Sequence, residues 1–225
     1  METKEYLQES LKTLNYDFNA NDKDVQVLIH GKDGLVTEVG ELLENVLNSR
    51  EGVINFKEEL GDIDWYQAIF LRTFPVLIPL FDSTYETLVA IKKAKQDNRK
   101  YDGFPNNFLL VSQLSVAISY LADDFKRLVF YGKPPKNYDG PKYENLLDCY
   151  AESIVSKMGK IMGLYLAICV ENNVDPSEVR NINIAKLRKR HGETFNKVGV
   201  FERDLQAEEK AMVEAKQSQD GEDKQ

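Results

Sequence analysis

Cysteine is nearly absent from this chain. Cys149 and Cys169 are the only two among 225 residues, which excludes a disulfide framework and a Cys-rich zinc site. Histidine is equally scarce, with His30 and His191 alone, and neither has a glutamate three residues before it. A ferritin-like di-iron bundle needs Glu-x-x-His pairs, so that class is excluded too. There is no long basic run, and the net charge is −8, which argues against binding nucleic acid through electrostatics. The longest apolar run, Ile161 to Val170, is too short to cross a bilayer. The opening METKEYLQES is polar, unlike a signal peptide. These absences predict a soluble cytoplasmic protein without membrane or nucleic-acid partners. A convincing β pattern is also missing.

What is present is helical. Hydrophobic residues make up 42% of the chain, ample for a buried core. Residues 2 to 14 read as an amphipathic helix with Tyr6, Leu7, Leu11 and Leu14 on one side. The stretch after it resembles a calcium loop starting at Asp17, with Asn19 and Asn21. Its sixth position is Asp22 instead of Gly and its twelfth is Leu28 instead of Glu, so it reads as turn and cap residues. Helices are predicted over 23–48, kinked at Gly31 to Gly34, and over 53–74, broken by Pro75 and Pro79. Others follow at 82–97, 107–130 and 143–172, with loops at YDGFPNN and YGKPPKNYDGPK. Asp175-Pro176 opens another helix, Asp as cap and Pro at the first position. A last helix is predicted over 201–216, followed by a tail from 216 to 225 too poor in apolar residues to order itself. The expected class is all-α. The expected architecture is a four-helix bundle of two fused hairpins with peripheral helices, in one domain over 1–215.

Residues 34 to 66 carry two acidic pairs, Glu38/Glu41 and Glu59/Asp62. Spacing i, i+3 stacks two side chains on one helix face, about 5–6 Å apart at Cβ. A turn between the pairs would let four carboxylates converge, and unpaired they would raise one another's pKa values. A hard divalent cation removes that conflict, and Mg2+ is the usual one beside phosphates. A solvated surface is the ordinary fate of a lone ExxE. Here both pairs are embedded in apolar residues, and Gly40 and Gly61 sit at matched places inside them. Glycine costs about 1 kcal/mol in a helix interior, so the matched pair points to close helix approach or room for a ligand.

The chain also reads as two related halves. SYLADDFKRLVFYGK, a loop and ESIVSKMGKIMGLYLAI form a second long hairpin. Setting Gly61 against Gly159 puts Lys157 and Lys160 where Glu59 and Asp62 stand; matching Tyr66 with Tyr165 puts Met158 and Ile161 there. Both registers lose the acids. Lys157 and Lys160 are expected either to neutralise phosphate or the acidic cluster, or to be plain surface lysines.

The run ExxE, 17 intervening residues, then ExxD resembles the all-α nucleoside triphosphate pyrophosphohydrolases of the MazG-like family. It stands here as EVGE at 38–41 and ELGD at 59–62. LIHGKDGLVTEVGELL, KEELGDIDWY, FYGKPP and NIAKLRKRHGETF followed by RDL extend the likeness over most of residues 25 to 205. About a hundred residues separate the acidic helix from the NxxKLxxR helix, so the chain is similar to two family hairpins fused, as in dimeric dUTPase and dCTPase-like enzymes. The resemblance implies cleavage of a nucleoside triphosphate to monophosphate and pyrophosphate with Mg2+, or Mn2+, and a homodimer. It implies Glu38, Glu41, Glu59 and Asp62 as metal ligands, with Glu38 or Glu41 doubling as base. Asn183, Lys186 and Arg190 match its C-terminal motif and share a helix face that could meet phosphate; a basic surface face is the alternative. Trp65 and Tyr66 are candidates to stack a base, and His30 lies near the acids, though each also suits core packing. Asp64, two residues past Asp62, points elsewhere on a helix. A degenerate member that binds nucleotide without cleaving it is the competing function.

A hairpin over 23–74 has an apolar stripe that two helices alone cannot cover. A fragment ending before residue 105 should therefore aggregate or self-associate on size-exclusion chromatography. A soluble, monomeric fragment would overturn the fused-bundle reading.

Overall fold

A computed structural model describes residues 1–13, 23–48, 53–97, 107–136, 138, 140, 146–196, 199 and 202–222. The turn cluster at Asp17 to Asp22, the Arg50 to Gly52 connection, residues 101–106 and 141–145, and the last three residues lie outside them. Among the described residues there are eight helices and no strand. They are α1 (Thr3–Lys12), α2 (Lys23–Asn48), α3 (Val53–Thr73), α4 (Leu77–Asp97), α5 (Asn107–Tyr131), α6 (Leu146–Glu171), α7 (Pro176–His191) and α8 (Leu205–Glu222).

Four core helices close a ring. α2 pairs with α3 and α5 with α6, while α2 also lies on α5 and α3 touches α6. Each contributes a stripe at helical spacing: Leu28, Leu35, Val39 and Leu42 from α2, Leu60, Ile63 and Phe70 from α3, all essentially buried. Burying each such side chain contributes about 1.5–3 kcal/mol, and only the assembled ring covers all four stripes. The architecture is the expected bundle of two fused hairpins. α4 packs on α6, α1 and α7 on α3, and α8 on α7.

Two boundaries differ from expectation, while α2 is one helix over Lys23–Asn48, including Gly31 and Gly34. α4 begins at Leu77 and takes Pro79 into its first turn, where a missing N–H has no intrahelical acceptor to lose. α8 continues to Glu222, past the expected end at 216. Its Ala, Glu, Lys and Gln are strong helix formers, and buried Glu208 and Met212 anchor it. By length and composition α5 and α6 are each apolar enough to span a membrane; here about half of each packs into the core.

Two glycines set helix separations. A Cβ on Gly34 would lie 2.1 Å from the Tyr66 ring, and one on Gly61 would lie 3.0 Å from Asn183 Cβ. These positions let α2 approach α3, and α3 approach α7. Gly40 has open space around it, so its match with Gly61 has no packing role.

One ion pair is fully internal. Arg180 Nε donates to Asp64 Oδ2 at 2.7 Å, the two side chains being 4% and 3% exposed. Arg180 Nη1 donates to Thr3 Oγ1 at 3.0 Å, and Thr3 donates to Asp82 Oδ1 at 2.6 Å. The guanidinium also lies over the rings of Tyr6 and Phe81. Four helices, α1, α3, α4 and α7, thus meet at one cation. Arg180→Met strands a buried carboxylate and should lower unfolding free energy by about 3–5 kcal/mol. In urea titrations the Asp64→Asn/Arg180→Met double variant should recover part of that loss. A single variant as stable as wild type would remove this pair from the account of the fold.

Candidate metal and phosphate site

α2 carries Glu38 and Glu41 one turn apart, and α3 carries Glu59 opposite them. One carboxylate oxygen from each lies within 4.8 Å of the others. Glu41 is exposed, while Glu38 and Glu59 are half-buried. Burial, then the charges of Asp62 and Glu41, push the Glu38 carboxyl up to about 7. Burial, Asp62, Glu41 and Glu38 push Glu59 up to about 8. Such crowding by hard oxygen donors fits a divalent cation, whose charge would relieve it.

Asp62 has different company. Asn183 Nδ2 donates to its Oδ1 at 2.6 Å, and Lys186 Nζ donates to its Oδ2 and, at 3.2 Å, to Glu58. Asn183 and Lys186 are each 1% exposed. Burial works to lower the Lys186 ammonium, but Asp62 and Glu58 outweigh it and raise it. Two residues expected at phosphate are therefore directed at the fourth acid, which stands outside the three-carboxylate group. Gly61 makes room for that grip, since a side chain there would meet Asn183.

A cavity of about 270 Å³ borders the cluster. Glu38 and Asp62 form its acidic side and Arg190 its cationic side. His30, Trp65, Tyr66, Leu187, His191, Phe195 and Thr13 form the rest. The Trp65 and Tyr66 rings stand edge to face with centroids 4.9 Å apart, and His30 is 5.9 Å from Trp65. Trp65 is 8% exposed, and its Nε1 donates to Ser10 O and Thr13 Oγ1. It is thus a core residue with one edge on the cavity. Burial holds the His30 imidazole below its ordinary range, with Asp33 opposing.

Arg190 is clamped by α8. Its Nε and Nη2 donate to Glu208 at 3.0 and 2.7 Å, and Arg203 adds a third bond at 2.9 Å. Burial favours the neutral Glu208 carboxyl, but the two guanidiniums win and hold it at about 2. Sequence reasoning missed Glu208, Thr13, His191 and Phe195. The motif segment contains His191 and Phe195, but only the turn after α7 brings Phe195 to the cavity, through its N–H donating to Lys12 O at 2.8 Å.

Lys157 and Lys160 are not at this site. Lys157 faces Asp124 and Ser153 between α5 and α6, and Lys160 borders a separate apolar hollow with Leu109 and Val116. The different course of α6 explains the discrepancy: its lysine face meets α5, not the carboxylates of α2.

The raised carboxyls set a pH dependence. Glu38 and Glu59 hold protons in the metal-free fold up to about pH 7 and 8, whereas unfolded they release them near 4.5. Their contribution to stability therefore falls as pH rises through that window. The half-buried imidazoles of His30 and His191, both held below their ordinary range, act oppositely, so the effect is read against a Glu38→Gln/Glu59→Gln variant, whose melting temperature in EDTA should fall less over the same range. Mg2+ competes with these protons, so its stabilisation of wild type should grow from about pH 5 to about pH 8. Equal Mg2+ increments at both ends, or in the variant, would count against the site. No protein-family model, curated protein or solved structure matches the chain, so the functional assignment rests on this geometry and on the resemblance of the acidic motif.

Proposed function

We propose that the protein is a Mg2+-dependent nucleoside triphosphate pyrophosphohydrolase, yielding a monophosphate and pyrophosphate. The observation that carries this is the meeting of Glu38, Glu41 and Glu59 within 4.8 Å, at the edge of an aromatic cavity. The three carboxylates would hold Mg2+, with Mn2+ as the alternative. When bound, the ion would offset the charge of the triphosphate against the acids.

The chain's own groups divide the remaining work. Glu38 belongs both to the cluster and to the cavity wall. It is the member of the cluster that lines the cavity, so its carboxylate would be placed to accept a proton from the attacking water. This favours Glu38 over exposed Glu41 as the base. Arg190, oriented by Glu208, would meet phosphate at the cavity's cationic side. His30, Trp65 and Tyr66 would receive the planar base, a ring geometry that favours edge and offset contacts. Lys186 and Asn183 position Asp62 and keep its charge compensated beside the other acids.

A catalytically silent nucleotide-binding protein is the second reading. The observation that favours it is the capture of Asp62 by Lys186 and Asn183. Pyrophosphate release separates the two. With Mg2+ and a panel of dNTPs, NTPs and guanosine tetraphosphate, at least one substrate should be cleaved. Glu41→Gln and Glu59→Gln should each lower kcat by more than about 100-fold while circular dichroism stays helical. Release unaffected by either substitution would refute the site, and no release from any substrate would leave the binding reading standing.

A further inference from the structure

A larger cavity lies elsewhere. About 740 Å³ lies between α5, α6 and Pro135, Lys136, Tyr138 and Gly140, within the usual size range of small-molecule sites. Like the acid cluster in the first hairpin, it lies where the two helices of the second hairpin pair. Glu38 and Glu41 on α2 face Glu59 on α3; Asp124 and Arg127, also i, i+3, stand on α5 and face Lys157 on α6. The Gly61/Gly159 register places Lys157 at the position of Glu59.

The charges have changed sign. Where the first hairpin gathers three carboxylates, Lys157 here supplies a cation from the chain itself. Its Nζ bonds Asp124 Oδ2 and, at 2.6 Å, Ser153 Oγ, which in turn donates to Asp124 at 2.7 Å. Asp124 is thereby neutralised, and Asp123 is paired with Lys126 at 2.5 Å. Among the lining charges that leaves Glu152 against Arg127 and Lys136. Arg127 donates through Nη2 to Pro134 O at 3.0 Å and lines the cavity together with Lys136. Phosphate is the anion that guanidinium and ammonium groups meet together. Tyr120, 60% exposed, and Tyr138 add aromatic surface to the same wall, the kind of surface on which a planar ring stacks.

We propose that this cavity binds a phosphate monoester of a planar ring, a nucleoside monophosphate, without a metal ion. Arg127 and Lys136 hold the phosphate, Lys157 supplies the charge that a divalent cation would bring to the first hairpin, and the tyrosines take the ring. The proposal does not depend on hydrolysis at the other site. If both hold, the second hairpin reads the product class of the first.

The test uses the full chain in EDTA, titrated by calorimetry with AMP, GMP, CMP and UMP, and with adenosine and inorganic phosphate as controls. At least one monophosphate should bind saturably, and both controls should bind at least about tenfold more weakly than it. Lys136→Glu, at an exposed position, should weaken that binding at least about tenfold, and so should Arg127→Met. Glu41→Gln should leave it unchanged. Absence of binding by all four monophosphates overturns the proposal. So does loss of binding in Glu41→Gln, which would place the ligand in the acidic site, or binding indifferent to Lys136→Glu. A control that binds as tightly as the monophosphate overturns it as well, adenosine against the phosphate contacts and phosphate against the ring.

Discussion

Everything in the acidic half depends on carboxylates of α3 being met by cations of α7. Asp62 and Asp64 stand two positions apart, so they leave the helix on different sides. Asp64 turns into the interior and is held by Arg180; Asp62 turns toward the cluster and is held by Lys186 and Asn183. An unpaired ion inside an apolar bundle costs several kcal/mol, so α3 can occupy its place only with α7 alongside. Arg180, Asn183 and Lys186 recur every third residue and form one stripe along α7. That stripe fixes how α7 lies on α3, and hence where Arg190 and the turn to Phe195 stand relative to the cavity.

The glycines convert this packing into site geometry. Gly34 admits the Tyr66 ring and Gly61 admits Asn183, bringing α2 and α7 close to α3 on two sides. With α2 that near, Glu38 and Glu41 meet Glu59, and burial first, then the neighbouring carboxylates, push the Glu38 and Glu59 carboxyls up. Asp62 has an internal cation to answer its charge. The three glutamates have one another, with Glu38 and Glu59 half-buried and Glu41 exposed, and the proposed cation would offset that imbalance.

The two hairpins solve the same problem in opposite ways. Both place polar side chains between paired helices, where unmet charge is expensive. Between α2 and α3 three carboxylates are left facing one another. In α5 and α6 the chain brings its own cation, Lys157, and closes the network with Ser153 and Asp124. The two hairpins share an architecture and differ in the charges they place between their helices, as expected when chemistry resides in side chains carried on a scaffold.

Local periodicity carries the parts of this protein that were legible in the chain alone. Apolar spacing was enough for the all-α class and the two long hairpins, because it acts within a few residues. The i, i+3 spacing of Glu38 and Glu41 put them on one face, and Asp175-Pro176 marked the start of α7, where the Asp175 side chain accepts from Ser177 N at 2.8 Å. Even Pro79 was misread only because a breaker inside a helix is harmless in its first turn. The partners were another matter. Nothing near Asp62 in the chain announces Lys186, 124 residues away, and nothing near Arg190 announces Glu208 as its clamp. Lys157 was equally suited to the acidic cluster or to solvent until α6 turned it toward Asp124. Sequence determined which faces carry charge, since that is set by the helical repeat. Tertiary structure alone decided which charges meet, since that depends on helix separations and rotations set by glycines, buried rings and the cost of stranding an ion.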